Sequence, residues 1–435
     1  MTPVSTQRLS NVGPALILVS VVMGLAPWPW GLPSARAQSL GPAGGGATIV
    51  AASGQPAPNG GVFNQFDVAH QPITAPVNAN GQVAFFASLL RGPAEEGFFL
   101  YSQGRIARLA AVGDEVGAAG SLGGFAKHPV PSLNGRGEIA FTASLIGGRS
   151  TQGAFVAGQG AVRAVALAGQ PAPGIPGGTL LEFDDVSLND AGQVAFLASV
   201  RRGRDQSDAI FLGDAAGPLI RMTAAGEPAP SGGSFGAFGP PTVNGKGAVA
   251  FAATVEQGPW VGGVYVLGDG TGRIIAGAGQ PSPLGGIFAK FSERVALNER
   301  GQVAFIAMLK NARTPAAVFM ADGEALVPLA EQGSAAPGGG QYADFGPWAA
   351  IDGRGRVAFV ASLDNAPSAF AVFLVGRGGG QRVVGVGQEL GGGRRLGAFP
   401  LYPVVAASAD GRLTFAGLSA AAPGAQALFV TPPLP

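Results

Sequence analysis

Seven copies of one short motif, four apolar runs inside each copy and a lone strand at each end of the chain predict an all-β fold. The architecture they specify is a seven-bladed β-propeller with four antiparallel strands per blade, closed by an N-terminal strand that completes the last blade. The motif is N-x-x-G-x-x-A-F. It reads NANGQVAF from Asn78, NGRGEIAF from Asn134, NDAGQVAF from Asn189, NGKGAVAF from Asn244, NERGQVAF from Asn298, DGRGRVAF from Asp352 and SADGRLTF from Ser408, at intervals of 54 to 56 residues. Such an interval holds four strands of about five or six residues with their turns. An open β-solenoid would repeat after roughly 20–30 residues.

Residues 1–37 read as a signal peptide. Arg8 supplies a positive start, Gly13–Ala26 an apolar core, and Ala35-Arg36-Ala37 an A-x-A cleavage site. The apolar core is shorter than the ~20 residues that span a bilayer. Cleavage after Ala37 places the protein outside the cytoplasm, secreted or periplasmic. Residues 38–46 form a Gly-rich linker and 47–435 the propeller domain. No later apolar run is long enough to span a membrane, and the closing TPPLP carries no recognisable anchor, so a soluble exported protein is expected.

The first strand of the domain, Ala47–Ala52, is of the fourth-strand type, because GQPAP follows it as it follows the other fourth strands. The third unit shows the full set: Phe183–Leu188, Gln193–Val200, Ala209–Leu212 and Leu219–Ala224 are short, rich in β-formers and punctuated by Gly or Asp. Along QVAFLASV, both Val194-Phe196-Ala198-Val200 and Ala195-Leu197-Ser199 are apolar or small, so both sheet faces are covered. The motif alanine suggests a close approach between sheets. The last unit stops at Ala427–Val430, one strand short, and the N-terminal strand supplies the missing one.

The motif itself has the chemistry of a hairpin between strands one and two. Asn accepts a bond from the backbone two residues on, and Gly takes the left-handed conformation that closes the turn. Asp352 and Ser408 can make the same local bond as Asn78, Asn134, Asn189, Asn244 and Asn298. A second element, G-Q/E-P-x-P-x-G-G, starts at Gly54, Gly169, Gly226 and Gly279 and joins each fourth strand to the next blade. The N-x-x-G-x-x-A-F repeat resembles the mark of the bacterial NxxGxxAF tandem-repeat proteins, described as "choice-of-anchor". That resemblance covers residues 47–430 and implies export; it implies no particular activity.

Composition restricts the chemistry. There is no cysteine, only two histidines, and 27 Lys+Arg against 26 Asp+Glu. This argues against thiolate chemistry and against a nucleic-acid partner. Metal-loop spacing is absent, and no cofactor is expected. Gly232–Gly236 matches G-x-S-x-G, but Ser234 fills an ordinary linker position. His70 and His128 read as loop polarity. Glu182, Asp184 and Asp185, placed before strand one of the third unit, and Glu95–Glu96, placed in a strand two-to-three loop, are acids that could serve as an acid–base pair, and read as solvated loop charges.

The densest charge is Arg201-Arg202-Gly203-Arg204-Asp205, read as a strand two-to-three loop; the same loop of the next unit carries Trp260. Arg149, Lys310 and Arg313 occupy matching loops. Arg and Trp favour recognition surfaces, so Arg201, Arg202, Arg204, Asp205 and Trp260 are the candidate ligand-binding residues. The expected function is a monomeric, non-catalytic binding or scaffold module with an extracytoplasmic glycan or protein as partner. Alternatives are a polysaccharide-acting hydrolase or lyase using the loop acids, and a structural envelope component.

Overall fold

Seven antiparallel four-stranded meanders follow one another along the chain, the first six each formed by one repeat and the seventh by the two ends together. The computed structural model describes residues 46–67, 71–125, 129–158, 160–390, 395–420 and 424–435. The signal segment, most of the linker, His70 and His128 lie outside the described residues. Blade 1 comprises Val62–Phe63, Val83–Leu90, Glu96–Ser102 and Arg105–Ala111. Blade 3 comprises Thr179–Leu188, Val194–Arg202, Asp205–Gly213 and Ile220–Ala224. The seventh blade takes Leu396–Ala398, Leu413–Ser419 and Gln426–Val430 from the C-terminal end and Thr48–Ala52 from the N-terminal end. Thr48 pairs with Val430 and Ala52 with Ala427. The ring is therefore closed by the expected N-terminal strand, which removes the exposed edge that an open sheet would leave.

Each gap between neighbouring blades holds its own apolar core. Val194, Phe196, Ala198 and Val200 pack with Ala140, Ala154 and Val156 of blade 2. Ala195 and Leu197, on the opposite face of the same strand, pack with Phe238 and Phe251 of blade 4. Large meets small across six of the gaps, because the motif Phe of one blade lies against the motif Ala of the blade before it; between the seventh blade and the first, the motif position is Thr414 and Phe85 shares its core with Ala416. The motif alanines Ala84, Ala140, Ala195, Ala250, Ala304 and Ala358 are all fully buried. A second aromatic, less visible in the sequence, faces the motif Phe across strands two and three: Phe196 stacks on Phe211 at 5.6 Å, and Phe359 on Phe373 at 5.7 Å. Such cross-strand aromatic pairs add to the area buried.

Two details differ from the sequence reading. The first strand is not uniform: in blades 2, 4, 5, 6 and 7 it breaks and resumes as a short piece beside the motif, such as Ala296–Leu297, while in blade 3 it is continuous but bulged between Phe183 and Val186. Glu182, Asp184 and Asp185 accordingly lie within strand one, and Glu96 begins a strand. The expected loop Arg201–Asp208 is a hairpin. Arg201 and Arg202 end strand two, Asp205 begins strand three, and Arg202 pairs with Asp205. Only Gly203 and Arg204 form the turn, with Gly203 at φ 63°. Glycine in the first turn position suits a two-residue hairpin, so polar residues continue the ladder instead of forming a loop.

Candidate functional site: the central channel

The innermost strands converge on a channel, and the motif turns ring one of its ends. Asn189 shows what the first motif residue does. Its Oδ1 accepts from Gln193 N at 2.9 Å, and its amide donates to Asn244 O of the next blade at 2.9 Å. Asn78 reaches Asn134 O, Asn244 reaches Asn298 O and Asn298 reaches Asp352 O in the same way. The bond two residues on also forms, from Asn80 N, Arg136 N, Lys246 N and Arg300 N. An amide side chain supplies both acceptor and donors, so one residue closes its own turn and ties it to the next blade.

Three positions depart from this ladder for chemical reasons. Asn134 donates to Glu138, and the crossing is made instead by Gly135 N to Asp190 Oδ1 at 2.6 Å and Arg136 Nη1 to Asp190 O at 2.8 Å. Asp352 has no donor; it pairs with Arg356 at 2.7 Å, and Arg356 holds the C-terminal segment through Leu434 O at 3.1 Å. Ser408 accepts from Arg412 N at 2.9 Å.

Two residues before each motif stand Pro76, Ser132, Ser187, Thr242, Ala296, Ala350 and Ala406, which line the channel. Strand one is an edge strand, so its inward N–H and C=O groups need partners. The hydroxyls supply several: Leu188 N donates to Ser132 Oγ, Val243 N to Ser187 Oγ, and Thr242 donates to Val295 O. The cavity enclosed by all seven inner strands is about 250 Å³.

Four residues before each motif stand Thr74, Val130, Asp185, Pro240, Arg294, Trp348 and Val404. This ring lies toward the face that carries the strand two-to-three hairpins and the inter-blade linkers. Asp185 of blade 3 and Arg294 of blade 5 form an ion pair across Pro240 of blade 4. Their side chains are 15 % and 18 % exposed. The Arg294 guanidinium lies 5.5 Å from the centre of the Trp348 ring, a cation–π contact. Asp184 Oδ1 accepts from Asp185 N at 2.9 Å and shapes the bulge that aims Asp185 inward. Three buried side-chain polar atoms lack a partner among the described residues: Thr74 Oγ1, Arg294 Nε and Arg382 Nη1. Thr74 and Arg294 belong to this one ring and line the same cavity, although the two atoms themselves are shielded from it.

The residues expected to bind a ligand sit on the rim. Arg201, Arg202, Arg204 and Asp205 are exposed on the blade 3 hairpin. Trp260, on the corresponding hairpin of blade 4, lies over the Gly277–Gly279 backbone and is half-buried. The hairpins share a face, but no bond joins Trp260 to the arginines. The sequence reading placed Asp185 among loop acids and missed Arg294 and Trp348. Aligning the repeats on the motif and reading the fourth residue before it exposes all three, since that position alone mixes acid, base, aromatic and proline.

Among the described residues no group of three His, Cys, Asp or Glu could hold a metal. Perturbed carboxyls lie elsewhere. Burial works against the Glu138 charge, but bonds from Asn134 and Arg136 and the charges of Arg136 and Arg163 outweigh it and hold the carboxyl below its ordinary range. Burial pushes Asp344 up, partly offset by the Phe345 N–H. Burial also pushes up the phenols of Tyr342 and Tyr265. No helix of the described residues is long and apolar enough to cross a membrane.

Comparison with solved structures finds distant likenesses. A puromycin-hydrolyzing peptidase of Mycobacterium tuberculosis is 14% identical, with TM-score 0.33, covering 79% of this chain and 57% of that one. Prolyl oligopeptidase B of Galerina marginata is 10% identical, with TM-score 0.44, covering 79% and 46%. The fucose-recognising lectin of Aleuria aurantia, a six-bladed propeller, is 12% identical, with TM-score 0.34, covering 73% and 96%. The chain thus spans about half the length of the peptidases. No curated protein matches it. A protein-family model, described as a family of unknown function (DUF7453), matches residues 40–229 and 220–372, most of the repeat array. The chain belongs to that family.

Proposed function

We propose that the protein is an exported, non-catalytic binding module whose ligand enters the central channel from the hairpin face. The observation that carries this reading is the divergence of the inner-strand ring. The repeats agree at the motif positions that build blades, yet at Thr74, Asp185, Arg294 and Trp348 they differ in charge, size and aromaticity, and all four line the channel or its mouth. Arg201, Arg202, Arg204, Asp205 and Trp260 then form an outer rim that a larger glycan or protein partner touches after entering. Asp185 is engaged by Arg294, which favours binding over acid–base work. Export follows from the signal-like segment and from the resemblance of the motif to the NxxGxxAF proteins.

The test is retention of the purified protein on a printed array of glycans and peptides, with mass spectrometry of each retained compound after incubation. The expected result is binding without cleavage. Trp348→Ala should abolish it in a variant that still melts cooperatively, while Arg201→Ala and Trp260→Ala should weaken it only in part; Arg294→Met is expected to lower the melting temperature as well, because it leaves Asp185 without its ion-pair partner. Cleavage products that disappear in Asp184→Asn or Asp185→Asn would instead establish the hydrolase or lyase reading.

A further inference from the structure

The outer strand of a blade works together with the linker that follows it. In blades 1, 2, 3, 4 and 6 the outer-strand residue paired with the strand-three aromatic stands six residues before the linker's Asp, Glu or Gln. In blade 1, Asp114 accepts from Ala111 N at 2.8 Å with one oxygen and from Arg108 Nη1 at 2.7 Å with the other. In blade 3, Glu227 accepts from Ala224 N at 2.9 Å and from Arg221 Nη2 at 2.8 Å. An outer-strand arginine thus has a linker acid as its partner. Blades 2 and 4 have Ala164 and Ile274 in place of the arginine, and their linker residues are the neutral Gln170 and Gln280, which make the backbone bond alone.

Blade 6 breaks this rule. Its outer strand, Gly379–Gly385, carries Arg382 opposite Phe373, yet the linker residue is Gln388. Gln388 Oε1 accepts from Gly385 N at 3.1 Å, so its amide nitrogen takes the position of the second carboxylate oxygen in blades 1 and 3. An amide nitrogen and a guanidinium are both donors, and neither satisfies the other. Arg382 makes no hydrogen bond or ion pair with any described residue. None of the residues outside the described ones is Asp or Glu, so they hold no acid to supply. Of its nitrogens Nη1 is shielded from solvent, whereas Nε and Nη2 are reached by it. Arg382 and Gln388 line a cavity of about 160 Å³ between blades 6 and 7, with Leu390, Phe415 and Leu434 as apolar walls. That size suits a carboxyl group on a short aliphatic tail. Glu389 lines the same cavity, and its charge opposes a doubly charged phosphate more than a single carboxylate. We infer that this cavity takes a short-chain carboxylate, which accepts from Arg382 and Gln388 in the place that Asp114 and Glu227 fill in their own blades. The site is separate from the channel and does not rest on the channel reading.

The experiment is a ligand-observed NMR titration of the full chain with propionate, with N-acetylglutamate α-amide, with propionamide and with inorganic phosphate. A carboxylate should bind saturably and more tightly than phosphate, and the neutral isostere propionamide should not bind. The tighter of propionate and the blocked glutamate distinguishes a free acid from the acidic side chain of a protein partner. Arg382→Gln should weaken binding about tenfold or more, as loss of a charge-assisted hydrogen bond does. Glu389→Gln should tighten it. Gln388→Glu is the sharpest variant. It rebuilds the pairing of blades 1 and 3, so it should raise the melting temperature of the free protein and abolish carboxylate binding. Propionamide binding as tight as propionate, tighter binding of phosphate, or carboxylate binding that survives Gln388→Glu overturns the inference. Absence of saturable carboxylate binding overturns it as well, while retention of a glycan or peptide on the array would still support a binding module at the channel.

Discussion

At the residue scale, the motif asparagine has two jobs, and they can be separated. Asn189→Ala removes both the turn acceptor and the donor to the next blade, leaving buried backbone groups unpaired. A cost of about 2–4 kcal/mol is expected. Asn189→Asp keeps the acceptor but loses the donor and sets a carboxylate against Asn244 O. Chemical denaturation should rank both variants below the parent, with the aspartate variant regaining stability as the pH falls and its carboxyl protonates. Glu138 titrates with the opposite sense. Its folded-state affinity for a proton is lowered, so its stabilising contribution is present above the ordinary carboxylate range and is lost as the pH falls through its folded value. Glu138→Gln should therefore destabilise at neutral pH and converge with the parent in acid. Asp344 is raised, so its favourable state is the protonated one, lost as the pH rises. Asp344→Asn, which keeps an acceptor for Phe345 N, should raise the melting temperature at neutral pH and leave it unchanged in acid.

At the element scale, the linker between blades is a small hairpin clamped to strand two-to-three turns. Gly226 N donates to Phe235 O, and Ala229 N to Gly233 O. The linker Glu227 reaches back to Ala224 N at 2.9 Å, and Gln55, Gln170, Gln280 and Gln388 do the same at other blades, which explains why Gln or Glu stands in that motif. Gly226 and Gly233 both have positive φ, but a Cβ on Gly226 meets nothing, whereas on Gly233 it would lie 2.4 Å from Glu256 O. Gly226→Ala should cost about 1 kcal/mol, from the left-handed conformation alone. Gly233→Ala must also displace backbone, so a larger loss is expected in thermal unfolding.

These elements also show where the sequence was informative. Period, motif turn and two-faced apolarity specify the blades, because each depends on local spacing. The polar hairpin at Arg202–Asp205 escaped because charge reads as loop, although a two-residue turn lets such a ladder extend into solvent. Arg294 and Trp348 escaped because their meaning arises only when seven non-adjacent segments meet at one axis.

At the scale of the whole molecule, seven separate apolar cores make a ring in which every blade depends on two neighbours. The last bond of that ring is the pairing of Thr48–Ala52 with Gln426–Val430, reinforced by Gln426 Oε1 accepting from Phe66 N at 2.7 Å. Deleting residues 46–52 removes buried Val50 and Ala51 and exposes a strand edge. The truncated chain should melt at lower temperature and self-associate in light scattering, and a synthetic peptide of residues 46–53 should restore the monomer. Within this closed ring the channel is lined by residues of all seven repeats, and at its mouth Thr74, Asp185, Arg294 and Trp348 occupy one repeat position with different chemistry. A crystal structure of the intact protein with a compound retained on the array tests that claim most directly. The account predicts the compound in the channel mouth, beside Trp348 and the Asp185–Arg294 pair. A channel holding only ordered water, with the compound on the Arg201 hairpin, would contradict it.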